Sequence, residues 1–349
     1  MKRAVLFCGL LIAILSLMAF GCAKPAPTST PAELPEYLNL ATPPAGMIIN
    51  TQASGIAALI SAYTPINCKV IAYTNEQVWI PMMVTGEVDL GIANMVEPYL
   101  AYLGKPAFDA LAKAAGLKGF PIRLIVRGDP LIGSLMVRGN SPAKTIPDLR
   151  GKIVNNMWPA QPGVHLLNQG LLANGGLTYD DVQSMPFPGV VPAANAVMEG
   201  RCEAVIASID APFSTQAVAA VKARWLPLDP SPEAVKRMEQ AFPGLYLLKG
   251  EKRATIPDLP EYLMAWDTSV SCRQNLPDDV AYLITKTLWE KNAVLLATPT
   301  LSKWTKERFC STKSTIPYHD GAIKFYKEVG VWTNEMDAWQ KALLAQQPK

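Results

Sequence analysis

From residue 37 onward the chain repeats one pattern: a short apolar run, a polar or Pro/Gly loop, then a stretch with apolar residues at helical spacing. No other feature constrains the fold as strongly. Short apolar strands alternating with amphipathic helices build a largely parallel sheet covered by helices on both faces. Strands are expected at 37–41, 68–74 and 88–93, helices at 51–63 and 76–85, and a further helix from near Val96. Ile56, Leu59 and Ile60 mark the buried face of the first helix, and Gly86 ends the second as a C-cap. Two runs, 122–126 and 135–137, read as separate strands that carry the chain out of this first series.

A second series begins after 145–151. It comprises a strand at 152–156, a helix at 163–173, a strand at 182–187, a helix at 192–198, a strand at 204–209 and a helix at 212–221. Residues 262–272 return the chain to the first series, and helices follow at 277–297, 319–329 and 335–344. The fold class is therefore α/β with two lobes, 37–138 together with 260–349 in one and 139–259 in the other, joined by a crossing in each direction. A chain of 349 residues with 50% hydrophobic content supports cores for both. Clefts between such lobes are favoured ligand sites, and hinge closure is their usual motion.

The N-terminus bears on location. Lys2 and Arg3 precede an apolar run at 4–20 and the small-residue stretch Ala19-Phe20-Gly21-Cys22, the order of a secretory signal peptide. The alternative is an uncut anchor, and the run lies near the lower limit of roughly 17 to 25 residues that a spanning helix needs. Gly21 before Cys22 resembles the lipobox of bacterial lipoproteins, in which the cysteine is lipidated, although Phe20 and Ala19 depart from its usual residues. A plain cut after Gly21 or Ala23 is the other reading. Residues 23–36 are rich in Pro, Ser, Thr and Ala and read as a flexible tether. The expectation is an extracytoplasmic protein, lipid-anchored through Cys22.

Loss of Lys2 and Arg3 lowers the formal charge from +3 to +1, which makes no electrostatic case for nucleic acid. Cys68, Cys202, Cys272 and Cys310 form no C-x-x-C pair, and only His165 and His319 supply imidazoles, so no metal site is expected. A disulfide suits an exported protein. Cys272 with Cys310 is the preferred pair, and buried thiols are the alternative. No cofactor is expected, and the chain is read as a monomer.

Four segments carry a family resemblance. They are Thr85-Gly86-Glu87-Val88-Asp89-Leu90-Gly91, then Ile146-Pro147-Asp148-Leu149-Arg150-Gly151-Lys152-Ile153-Val154, then Gly176-Leu177-Thr178-Tyr179-Asp180-Asp181-Val182, and finally Ile316-Pro317-Tyr318-His319-Asp320-Gly321-Ala322 with the residues after it. In this order the chain resembles the TAXI family of solute receptors that serve TRAP transporters. The resemblance implies a periplasmic-binding-protein type II fold and delivery of a ligand to membrane permease subunits. Each segment also has a structural reading: Gly86 as a C-cap, Gly151 as a turn, Asp180 and Asp181 at a helix N-terminus.

In an open α/β sheet, ligands sit outside the carboxyl ends of the strands. That rule selects the loops 42–50, 74–77 and 94–97 in the first lobe, and 156–163 and 208–213 in the second. Within them the expected ligand-binding residues are Thr42, Met47, Asn50, Thr74, Asn75, Glu76, Asn94, Met157, Trp158, Gln161, Ser208 and Asp210. Where the family has glycine-rich loops, the first three loops and the residues beside them carry Pro43, Pro44, Met47, Tyr73 and Met95. A small organic acid, more apolar or aromatic than usual, is the expected ligand. The amides of Asn75, Asn94 and Gln161 would orient its polar end, and Trp158 would stack on a ring. Core packing at the hinge is the other reading of Met157 and Trp158. Glu76 sits awkwardly in an acid site: it caps a helix, pairs with a cation or meets an amine on the ligand, and Asp210 raises the same question.

Rival readings are an ABC-type binding protein, a ligand sensor of the same fold, and an enzyme. The sequence has no G-x-S-x-G, H-E-x-x-H or phosphate-loop motif, so no catalytic residues are expected.

Overall fold

The computed structural model describes residues 34–45, 47–157, 161–251, 256 and 258–348. Cys22, Trp158 and the stretches read above as a signal peptide and most of a tether lie outside these residues, as does the side chain of Met157. The first series runs β1 (Tyr37–Thr42), α1 (Ile48–Tyr63), β2 (Asn67–Ala72), α2 (Glu76–Thr85), β3 (Leu90–Asn94), α3 (Val96–Tyr102) and α4 (Asp109–Ala114), and leads into β4 (Ile122–Val137). The second runs β5 (Ile153–Met157), α5 (Pro162–Asn174), β6 (Gln183–Pro186), α6 (Val190–Met198), β7 (Ala204–Ser208) and α7 (Pro212–Val221). It continues through β8 (Arg224–Trp225), α8 (Pro232–Ala241) and β9 (Tyr246–Lys249). After β10 (Tyr262–Arg273) come α9 (Asp278–Glu290), α10 (Asn292–Leu296), α11 (Lys306–Phe309), α12 (Asp320–Glu328) and α13 (Asn334–Gln346).

Local chemistry explains many boundaries. The side chain of Asn75 accepts from the backbone N–H of Val78 and caps α2, and Gly86 ends that helix at φ +81°, a conformation that costs a residue with a Cβ. Ser231 caps α8, and His319 accepts from Gly321 at the start of α12.

The strands form one sheet in the order β2-β1-β3-β10-β4-β7-β5-β6, with β9 beside β10 and β8 beside β4. Read inward from its two ends, the order is the same: second, first and third strand, then a long strand. β1 is parallel to β2 and β3, and β5 is parallel to β6 and β7. Each trio is closed by an antiparallel neighbour, β10 against β3 and β4 against β7. The α/β class expected from the alternation is therefore built from two similar halves, and β4 and β10 run through both.

Two expectations are corrected here. Residues 122–126 and 135–137 are not separate strands but the ends of one continuous strand whose 16 residues are all buried. The intervening Arg127-Gly128-Asp129-Pro130 has the composition of a turn, yet its charged side chains find partners far along the chain. Arg127 forms a buried ion pair with Asp267 of β10. Asp129 accepts from the amide of Gln52 at 3.1 and 3.2 Å and from the hydroxyl of Thr268 at 2.8 Å. Pro130 faces Asp267 where the β10 register shifts, a position that tolerates a missing N–H. The second correction concerns the cysteines. Cys272 and Cys310 are both free thiols, Cys272 within β10 opposite Arg123 and Cys310 with its Sγ 3.5 Å from the sulfur of Met336. Cys68 and Cys202 are also free.

Among the described residues no helix is long and apolar enough to cross a membrane.

Candidate functional site

All six parallel strands point their carboxyl ends at one cavity of about 270 Å³. Its wall takes Pro43, Pro44 and Met47 from the loop after β1, Thr74, Asn75 and Glu76 after β2, and Asn94 and Glu97 after β3. The opposite wall takes Gln161 after β5, Gly189 and Val190 after β6, and Ser208, Pro212 and Phe213 after β7. Leu131 of β4 and Trp266 of β10, directly paired in register, line it from the two long strands. The volume lies just under the roughly 300 to 1,000 Å³ usual for drug-sized ligands, so it suits a small molecule.

Met47, Thr74, Asn75, Glu76, Asn94, Gln161 and Ser208 were singled out from sequence and line this cavity. Thr42, Asn50 and Asp210 do not. Thr42 is fully buried at the end of β1. Asn50 donates to the carbonyl of Pro43 at 3.1 Å and so fastens the first loop rather than facing a ligand. Asp210 is exposed between β7 and α7. The three expected amides already serve the backbone: Asn75 caps α2, Asn94 accepts from Val96 at 2.9 Å, and Gln161 accepts from Val190 at 3.1 Å. His165 does not line the cavity and stacks on Tyr179 with ring centres 4.6 Å apart.

Sequence reasoning missed the loop after β6, the Trp266–Leu131 pair, and the weight carried by Glu97. Phe187-Pro188-Gly189 ahead of a helix marks that loop. Glu97 was visible only as the end of a selected loop. It is 2% exposed and binds the backbone N–H of Gly163, at the first turn of α5 in the other half, and the side chain of Asn94. The contact is close: a Cβ on Gly163 would stand 2.0 Å from Glu97 Oε1. A carboxylate at a helix N-terminus is favoured by the free N–H groups and the dipole, and here that interaction bridges the two halves.

Among the described residues, the ionisable side chains that line the cavity are both acidic, Glu76 and Glu97. Glu76 is 8% exposed, and its burial raises its carboxyl to about 7. Burial, and then the charge of Glu76, pushes Glu97 well above the usual range. On the long strand β4, burial takes Asp129 to about 6 against the opposing hydrogen bonds of Thr268 and Gln52. Unfolded carboxyls titrate near 3.9 to 4.3. With folded values above unfolded ones, these three groups hold more protons in the folded state between about pH 4.5 and 7, so their contribution to stability falls as pH rises through that window, outweighing the opposite contribution of the single His319, which burial lowers. Ligand-free protein should therefore melt at a higher temperature near pH 5 than near pH 7.5, and Glu76→Gln should flatten the dependence. A melting temperature that climbs across this interval would remove the assignment.

A second cavity, of about 320 Å³, lies on the other side of the long strands, where Pro130, Ile132 and Arg308 line it. Its cations are already paired: Arg308 with Asp267 at 2.5 Å, Lys249 with Glu261 at 3.4 Å and Lys303 with Glu251 at 3.9 Å. Among the described residues no group of His, Cys, Asp and Glu is placed to hold a metal.

The chain is similar to several solved structures. PhnD1 from Prochlorococcus marinus (MIT 9301), solved with methylphosphonate, is 12% identical with a TM-score of 0.52, covering 86% of this chain and 100% of that one. The periplasmic aliphatic sulphonate binding protein SsuA from Escherichia coli is 17% identical, with a TM-score of 0.45 and coverage of 90% and 84%. A TctC solute binding protein from Polaromonas is 13% identical, with a TM-score of 0.47 and coverage of 89% and 95%. The sequence matches the NMT1-like family over residues 40–330, most of its length. The chain thus belongs to the NMT1-like family and has the two-lobed α/β fold of periplasmic solute-binding proteins.

Proposed function

We propose that this protein is an extracytoplasmic receptor that captures a small organic molecule between its halves and delivers it to the permease of a TRAP transporter. One observation carries the receptor reading: the loops after all six parallel strands, three from each half, converge on one cavity. A structural protein has no need of that convergence, and an open α/β sheet places ligands there. Residues 37–138 with 260–349, and 139–259, are the units proposed to close on the ligand about β4 and β10, the strands common to both. The TRAP part rests on the four TAXI-like segments, and export with lipidation of Cys22 rests on the N-terminal pattern. The organic acid expected from sequence is not supported by a wall that carries Glu76 and Glu97 and, among the described residues, no cationic side chain.

Native mass spectrometry of the protein isolated from its own cells tests the receptor part. The expected result is one small molecule bound per chain. Adding that molecule at a hundredfold its Kd should stabilise the stripped protein by about 2.7 kcal/mol. Absence of any bound or stabilising small molecule would overturn the reading. Reconstitution tests the transporter: uptake should need an ion gradient and a TRAP permease. Uptake that requires ATP and an ATPase subunit would overturn the TRAP part alone.

A further inference from the structure

The charges that face the cavity define a cargo class. Glu76 and Glu97 both line it, and no Lys, Arg or His does among the described residues. Glu97 is 2% exposed, and while the carboxylate holds the Gly163 N–H and the Asn94 side chain, Oε2 has no hydrogen-bond partner among the described residues. A buried carboxylate oxygen without a donor is costly, and the cost is relieved by a cation that donates to it. On the opposing wall the Oγ of Ser208 is likewise without a partner. Most of the remaining wall is apolar, with Leu131, Val164, Phe213 and Trp266 prominent.

We infer that the cargo is a small primary amine in its ammonium form with an apolar or aromatic body, its N–H groups on Glu97 Oε2 and the Glu76 carboxylate and its body against Trp266 and Phe213. This rests on the receptor reading above. An ammonium group offers three donors and no acceptor, which matches two carboxylates lacking a cation. A carboxylate ligand of the same shape would bring its negative charge beside two buried carboxyl groups with no cation among the lining residues. Burial raises both glutamates, so the empty site keeps protons that a bound ammonium group would replace. The cavity of about 270 Å³ limits the body to a single ring or a short branched chain.

Calorimetric titration of the stripped, full-length protein near pH 7.5 with phenethylamine, hydrocinnamate and hydrocinnamamide tests the charge, and isopentylamine with isovalerate repeats the comparison without a ring. The expected result is an amine preference of at least about tenfold over the matched acid, lost in Glu97→Gln. That variant keeps an oxygen for the Gly163 N–H, and an unchanged melting profile near pH 5 shows that it is folded. Equal or tighter binding of the acid, or an amine preference that survives Glu97→Gln, overturns the inference and leaves the receptor reading intact. Failure of every probe to bind overturns the apolar-amine assignment. The molecule found by native mass spectrometry then decides the receptor reading separately.

Discussion

Asp267→Ala is expected to lower the unfolding free energy by about 3 to 5 kcal/mol, the usual cost of leaving a buried charge without its partner. Arg127 and Asp267 are only 5% and 4% exposed on their side chains, so neither is rescued by water. Asp267 also accepts from Arg308 at 2.5 Å and from the hydroxyl of Tyr246 at 2.7 Å. One carboxylate thus ties β10 to β4, to β9 and to α11, at the place where the two long strands change from one half to the other. Urea unfolding measures the effect as a lower midpoint with unchanged slope. The double variant Asp267→Ala with Arg127→Met should recover part of the loss, because Arg127 is no longer an unpaired buried charge, while Arg308 and Tyr246 still lack their partner. A single-variant loss below about 1 kcal/mol, the range of exposed pairs, would show that this cluster does not brace the hinge.

Trp266→Ala should act on both stability and binding. Its indole is 5% exposed and sits opposite Leu131 of β4. Truncating a buried tryptophan costs about 3 to 5 kcal/mol, and the low end applies because one side of this ring already borders a cavity. The enlarged cavity also loses its broadest apolar surface, so the affinity for a small apolar ligand should fall more than about tenfold. Trp266→Phe should return most of the stability. Calorimetry on the two variants separates the effects, and an unchanged Kd in Trp266→Ala would show that the ring does not contact the ligand. Trp266 and Asp267 are neighbours in one extended strand, so their side chains point to opposite faces, one into the cavity and the next into the polar brace.

Much of this was legible from local sequence. Strand and helix periods are local, so the α/β alternation, the Gly86 cap and the helix α7 over 212–221 could be read residue by residue. The rule that ligands lie at strand carboxyl ends needs only the order of elements, and it led to Glu76, Asn94, Gln161 and Ser208 in the cavity wall. Other features depended on partners far along the chain. Arg127-Gly128-Asp129-Pro130 has the composition of a turn and becomes a strand because Asp267, Gln52 and Thr268 satisfy its charges. Trp266 enters the site only because β10 runs antiparallel to that continuous strand. Glu97 reads locally as an ordinary helix-start acid. Folding buries it beside Glu76 and against Gly163 of the other half, which makes it the most charge-frustrated group in the cavity. Local pattern therefore determined the elements and the loops that face a ligand. Long-range pairing and burial, which sequence period does not encode, decided the two long strands and the acidic character of the site.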